Sequence, residues 1–282
     1  MSTTIAQSLA QAQATGLARI DAQMLLLHLL GRPVNDRAWL LMHDGDALLP
    51  ADGQRYAALC SRRAAGEPVA YLTGQKEFWG LSLAVDARVL DPRPDTETLV
   101  AWALEVLQDQ HAPRIADLGT GSGAIALALC YARPDASVLA VDASADALAV
   151  ARANAERLGL PLQFHQGNWL DGLDGPFQAI VSNPPYIRAD DPHLAALTHE
   201  PLSALASGAD GLQDIRAIVA QAPRALAPGG WLLLEHGWDQ AGAVQALLRA
   251  AGFAQVQGRN DLAGMARCSG GTMPVGPSPS MK

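Results

Sequence analysis

Over the first 75 residues, apolar side chains recur at helical spacing and never alternate. Ile20, Met24, Leu27 and Leu30 share one helical face, and Gly31 and Pro33 end that segment. Trp39-Leu40-Leu41-Met42 predicts a short second helix. Residues 51–65 predict a third, with Tyr56, Leu59 and Cys60 on one side and Gly66 as its stop. From residue 76 the pattern changes. Phe78 to Val85 reads as a hairpin with a glycine near its turn. A stiff connector, Asp91-Pro92-Arg93-Pro94-Asp95-Thr96-Glu97, leads into a helix over 98–108. Its acidic residues suit a helix's first turn.

Beyond residue 114, strand and helix patterns alternate. Strands are predicted at 114–118, 137–141, 162–165, 177–182 and 231–235, and helices at 124–133, 146–158 and 215–226. Such alternation implies an α/β domain with a largely parallel, doubly wound sheet. Residues 253–268 are expected to add edge strands. The organisation is therefore a small all-α domain over 1–75, a hairpin and linker over 76–96, and an α/β domain over 97–270. A Gly-, Pro- and Ser-containing tail over 271–282 is expected to be disordered.

Composition narrows the class. The 282 residues are 49% hydrophobic and 17% charged, as in a soluble globular protein. No apolar run approaches the roughly 18–20 residues of a membrane span. The N-terminus lacks a basic n-region, so no signal peptide is expected. Cys60, Cys130 and Cys268 are odd in number and far apart, which suits reduced thiols in a cytoplasm. The seven histidines form no HExxH or Cys/His cluster, so no metal is expected. A net charge of −8 argues against broad electrostatic binding to nucleic acid, though not against a local basic patch.

Candidate chemistry lies where strands end. Asp117-Leu118-Gly119-Thr120-Gly121-Ser122-Gly123 joins the first parallel strand to its helix. Glycines there permit a tight turn close to a ligand, and the helix N-terminus offers unpaired NH groups. Asp142 ends the next strand, where a carboxylate accepts the ribose hydroxyls of an adenosine. The glycines alone fit a dinucleotide as well as S-adenosylmethionine. Asp117, placed to engage an amino group, favours the methyl donor. So does Asn183-Pro184-Pro185-Tyr186, which follows the apolar strand Ala179 to Ser182. Its two prolines stiffen an extended corner, which presents a side-chain and a main-chain oxygen to an NH2 group. Asn168-Trp169 follows the third strand on the same rim. Trp169 there reads either as a flank for adenine or as a core aromatic.

Together these residues resemble the class I S-adenosylmethionine-dependent methyltransferases, whose fold is a Rossmann-like doubly wound sheet. Gly66-Glu67-Pro68-Val69-Ala70-Tyr71-Leu72-Thr73-Gly74, Glu77-Phe78-Trp79-Gly80, Pro92-Arg93-Pro94-Asp95-Thr96-Glu97 and Leu233-Leu234-Glu235-His236-Gly237 narrow the resemblance. They are similar to the release factor N5-glutamine methyltransferases, the HemK/PrmC family. His193 to Pro201 departs from that pattern by being short. The resemblance implies methyl transfer to N5 of the glutamine in the Gly-Gly-Gln motif of class 1 peptide chain release factors. It implies a helical domain that docks the release factor, a hairpin connector and a catalytic domain. Asp117, Gly119 to Gly123, Asp142, Asn168, Trp169 and Asn183 are then expected to bind cofactor. Asn183, Pro184, Pro185 and Tyr186 are expected to hold the glutamine, with Asn183, Pro184 and Tyr186 catalytic. The product would be S-adenosylhomocysteine, and the enzyme a cytoplasmic monomer with no direct role for nucleic acid or membrane. The competing readings are an N6-adenine methyltransferase, an NAD oxidoreductase and a non-catalytic binding protein.

Overall fold

The structure is a computed structural model that describes residues 3–275. The chain divides into two compact units, Met1–Gln75 with Ala196–His199, and Lys76–Ala195 with Glu200–Lys282. The predicted hairpin thus clusters with the α/β unit from Lys76 onward.

The first unit holds helices α1 (Ile5–Ala14), α2 (Arg19–Leu29), α3 (Arg37–Met42), α4 (Pro50–Ala64) and α5 (Val69–Thr73). Its centre is α2, whose consecutive Leu25, Leu26 and Leu27 are all fully buried. Helices α1, α3, α4 and α5 pack around it, which leaves α2 no solvent face over that stretch. The Tyr56 hydroxyl of α4 donates to the Ala22 carbonyl at 2.9 Å, so the buried phenol keeps a partner. Helix α1 has no strong apolar stripe, because it buries Ile5, Ser8 and Ala12. Its start is set instead by a capping box between Thr4 and Gln7.

The second unit opens with strands β1 (Gln75–Phe78) and β2 (Leu81–Ala84), which pair as a hairpin. A short 3-10 turn, Pro94–Thr96, then enters α6 (Glu97–Val106). There follow β3 (Arg114–Leu118), α7 (Ala124–Ala132), β4 (Ser137–Asp142), α8 (Ala145–Leu158), β5 (Gln163–Gln166) and β6 (Phe177–Ser182). The chain ends with α9 (Gln213–Ala225), β7 (Leu226–Glu235), α10 (Ala241–Ala250), β8 (Ala254–Asn260) and β9 (Ala266–Thr272). The hairpin is fastened to α8 by Asn154, which is fully buried. Its amide accepts from Ala84 N at 2.7 Å and donates to Ala84 O at 2.9 Å.

The seven-stranded sheet runs β5-β4-β3-β6-β7-β9-β8. Strands β5 to β7 are parallel, and β9 is antiparallel to both of its neighbours. From β3 the chain steps outward to β4 and β5, then returns to β6 on the other side. That reversal opens a crevice at the carboxyl ends of β3 and β6, the switch point where such sheets bind ligands. Leu118 lies in register with Ser182, so the glycine loop and Asn183 leave the sheet side by side.

Two boundaries differ from the sequence reading. Strand β7 begins at Leu226, because Leu226 already pairs with Phe177. The supposed tail from residue 271 is paired as well. Trp231 faces Thr272, and Met273 exchanges backbone hydrogen bonds with Gly229 and Gly230. Glycines suit this strand because Trp102 and Leu233 crowd it. A Cβ on Gly270 would lie 2.6 Å from Leu233 Cδ2 and 3.0 Å from the Trp102 ring. The rest of the expected tail, 276–282, lies outside the described residues. Among those residues no helix is long and apolar enough to cross a membrane, and no group of His, Cys, Asp or Glu has the makings of a metal site. The three cysteines are free and buried.

Candidate active site

At the switch point lies a cavity of about 450 Å³, within the range of small-molecule sites. Gly119, Gly121, Asp142, Asn168, Trp169, Asn183 and Pro185 line it, so three loops and the end of a fourth strand converge as their sequence positions suggest.

The glycine loop is shaped by backbone geometry. Gly119, Gly121 and Gly123 have φ of 69°, 55° and 84°, where a side chain is strained. A Cβ on Gly119 would lie 3.3 Å from the Trp169 ring, so the indole closes over the loop. Trp169 itself has φ 53°, a strained value for an aromatic residue. It is half-buried, packs on the sheet's core and also lines the cavity. Asn168 is exposed at the rim.

Asp142 does two jobs in the backbone. One carboxylate oxygen accepts from Gly121 N at 2.9 Å and the other from Ser144 N at 2.9 Å. It therefore fixes the middle of the glycine loop. A carboxylate has about four acceptor positions, so capacity remains for hydroxyl donors from the cavity.

Four predicted residues lie under the wall rather than on it. Asp117 is fully buried. One of its oxygens accepts from the Thr120 hydroxyl at 2.6 Å and from Ala126 N at 3.2 Å, while the other has no partner. It braces the turn into α7 and is not among the residues that line the cavity. Thr120 and Ser122 are buried with it. Gly123 permits close packing, since a Cβ there would lie 3.2 Å from Ala151 of α8.

Burial pushes the Asp117 carboxyl from its ordinary 3.8 to about 7. Between those values the folded state holds more protons than the unfolded chain. Stability from the protonated form is therefore present at acid pH and lost as pH rises toward 7. Asp117→Asn keeps an acceptor for Thr120 and Ala126 without this charge. Its stability relative to the parent should rise by on the order of 2–4 kcal/mol between pH 4 and 8. Urea midpoints at the two pH values measure this, and a constant difference would refute it.

Asn183 is half-buried on the cavity wall, and its Nδ2 donates to Thr96 Oγ1 at 3.2 Å. This leaves Oδ1 as the outward acceptor. Pro184 is buried and Pro185 lines the cavity. Tyr186 turns its hydroxyl away toward Glu235, at 3.5 Å, and its carbonyl accepts from Gln240 at 3.0 Å. Burial and the Glu235 charge raise the phenol to about 12, so it stays protonated. Glu235 ends β7, beside β6, and is 1% exposed. Burial raises its carboxyl to about 7 despite the opposing Thr96 hydroxyl and Arg267 charge.

Sequence reasoning missed part of the wall. Arg88, Val89 and Leu90 come from the segment after the hairpin, and Pro201, Ser203 and Ala204 from the loop after Tyr186. No local pattern marks them, since chain crossing alone brings them there. The loop is held where Glu200 accepts from Arg93 Nη2 at 2.5 Å and from Asp91 N at 3.2 Å. The Pro-Arg-Pro connector contains both partners and was the available signal.

The donor set fits an adenosyl cofactor with a charged tail: loop amides, a carboxylate at the ribose position and an indole beside it. Comparisons with known proteins agree. Residues 95–256 match the Methyltransferase small domain family, and residues 3–74 the PrmC N-terminal domain. The release factor glutamine methyltransferase of Bordetella pertussis is 51% identical over 91% of this chain and 95% of its own length. The Escherichia coli protein of the same name is 45% identical over 89% of this chain and 91% of its own. The fold is shared with a Pyrococcus furiosus methyltransferase at a TM-score of 0.53 and 17% identity, covering 79% of this chain and 100% of that one. With matches of this extent across both units, the chain belongs to the release factor glutamine methyltransferase family, and its cofactor is S-adenosylmethionine rather than a nicotinamide dinucleotide.

Proposed function

We propose that this enzyme methylates the side-chain amide nitrogen, N5, of the glutamine in the Gly-Gly-Gln motif of a class 1 release factor, in the cytoplasm and as a monomer. The observation that carries the reading is the tethered Asn183 amide, whose oxygen is left facing a cavity shared with the glycine loop. When bound, S-adenosylmethionine supplies a sulfonium-linked methyl group and leaves as S-adenosylhomocysteine. Gly119 and Gly121 let the backbone approach it closely, Asp142 accepts the ribose hydroxyls, and Trp169 flanks the adenine with Asn168 at its edge. Asp117, Thr120, Ser122 and Gly123 hold that loop in shape.

An amide nitrogen is a weak nucleophile because its lone pair is shared with the carbonyl. Asn183 Oδ1 and the Pro184 carbonyl accept the two glutamine N–H groups and aim the nitrogen at the methyl carbon. Positive charge then builds on nitrogen against two acceptors that need not reorganise. Positioning of this kind is worth up to roughly 7–11 kcal/mol in well-oriented systems. Pro185 and Tyr186 complete the corner, and the amide proton becomes acidic only after transfer. The helical unit, which exposes Leu41, Met42 and Leu49, serves to dock the release factor.

The test is mass spectrometry of a class 1 release factor incubated with enzyme and S-adenosylmethionine. One added methyl on the Gly-Gly-Gln glutamine is expected. An unmodified glutamine, or methylation elsewhere, would overturn the assignment.

A further inference from the structure

Two segments that line the cavity belong to no strand end of the sheet. Arg88 to Leu90 follow the hairpin, and Pro201, Ser203 and Ala204 follow the loop after Tyr186. Strand pairing anchors the ends that carry the glycine loop, Asp142 and Asn183. It does not reach these two segments, so another interaction sets where that part of the wall stands.

The turn from Pro201 to Ala204 is pinned at both ends. The far end is held by backbone. Ile187 N donates to Leu205 O at 2.9 Å and Ser207 N to Ile187 O at 2.8 Å, directly after the Asn183–Tyr186 corner. The near end is held by one side chain. Glu200 accepts from Arg93 Nη2 at 2.5 Å and from Asp91 N at 3.2 Å, and its side chain is 2% exposed. The Arg93 guanidinium also reaches the Asp91 carboxylate at 3.6 Å, which Lys76 of β1 meets at 3.2 Å. Asp91, Arg93 and Glu200 do not themselves line the cavity.

Arg93 supports the site from a second direction. Its carbonyl accepts from Thr96 N at 3.1 Å, and Thr96 Oγ1 accepts from Asn183 Nδ2 at 3.2 Å. One carboxylate therefore ties together the wall at Leu90, the turn at Ser203 and the support of Asn183. An ion pair is a poor choice for stability alone, because an apolar contact of similar volume is often as stable as a buried charge pair. What the pair adds is direction. Guanidinium and carboxylate meet in few geometries, whereas apolar side chains slide past one another.

We propose that Arg93 and Glu200 are positioning residues whose ion pair clamps the Pro201–Ala204 turn to the connector, so that the cavity wall is complete before cofactor and substrate bind. This rests on the reading of the cavity as the site shared by cofactor and glutamine. The pair touches neither ligand and acts through Leu90, Ser203 and Asn183.

The experiment compares Glu200→Ala, Arg93→Met and the double variant with the parent. Calorimetry gives the Kd for S-adenosylmethionine, and single-turnover methylation of a release factor gives the rate at saturating cofactor. Both are scaled to the folded fraction. Each single variant should raise Kd about tenfold or more and slow the rate about tenfold or more, since small misplacements cost up to about 10² in rate. The double variant should lose about as much as either single one, because the two side chains act as one unit. It also leaves neither partner as an unpaired charge, so a loss there reports position rather than a buried charge. Glu200→Gln and Arg93→Lys keep most of the shape and should show smaller losses in the same direction. They carry the test should the truncated variants not fold.

Parent-like Kd and rate in the folded variants, with only the urea midpoint lowered, would overturn the proposal. So would losses that add in the double variant, which would give the two residues separate roles. If Asp142→Ala binds cofactor as the parent does, the reading of the cavity fails first, and the two failures are told apart.

Discussion

Asn183→Ala lowers the single-turnover rate of methyl transfer at least about a hundredfold, a barrier increase of roughly 2.7 kcal/mol. The expectation follows from what alanine removes. Asn183 Oδ1 is the side-chain acceptor left facing the cavity once Nδ2 is tied to Thr96. Its loss leaves a substrate N–H without a preorganised partner as charge develops on the nitrogen. Removal of one preorganised group from comparable sites costs about 10²–10³ in rate. Cofactor affinity should change little, because Gly119, Gly121, Asp142 and Trp169 form most of the shared wall. The decisive measurement pairs single-turnover kinetics with calorimetry of S-adenosylmethionine binding. A rate within tenfold of the parent would sink the assignment of Asn183. A collapse of cofactor binding with the rate would move it to the cofactor side.

Asp142→Ala produces the opposite pattern. Cofactor Kd rises about a hundredfold, while the rate at saturating cofactor falls much less. Two ribose hydroxyls lose a charged acceptor, and hydrogen bonds to charged groups are worth about 1.5–3 kcal/mol each. The alanine variant also frees Gly121 N and Ser144 N, which the carboxylate holds at 2.9 Å. Asp142→Asn retains one acceptor oxygen and should fall between the two. Calorimetry decides it. A Kd within threefold of the parent for the alanine variant would refute the ribose role.

Much of this site was legible because it sits at strand ends that local pattern marks well. Gly119, Gly121, Asp142 and Asn183 each follow an apolar strand, and a parallel sheet carries all such ends to one edge. Strand β5, Gln163–Gln166, was placed despite its polar composition, because the alternation of helices and strands demanded one there. Where pattern was weak, the reading slipped. Helix α1 buries a serine and an alanine in its stripe, so periodicity gave little sign of it. Strand β7 passes through Pro228, Gly229 and Gly230, and β9 through Gly270 and Gly271, residues that usually mark turns. At Gly270 and Gly271, crowding by Trp102, Leu233 and Phe253 leaves little room for a side chain, and that crowding is a property of the packed sheet.

Residue type and spacing by themselves marked a helical segment followed by an α/β one, the glycine loop with its acidic partner, and a stiff proline corner at a strand's end. These are local or periodic properties, set by backbone sterics and by which face of each element is apolar. Only the tertiary structure decided which way each polar group points. It placed Asp117 beneath the cofactor loop instead of on the cavity wall. It carried the segments at Arg88 and Ser203 into that wall, and it set Thr96 behind Asn183. Hydrogen-bond direction depends on neighbours distant in the chain, and 87 residues separate Thr96 from Asn183.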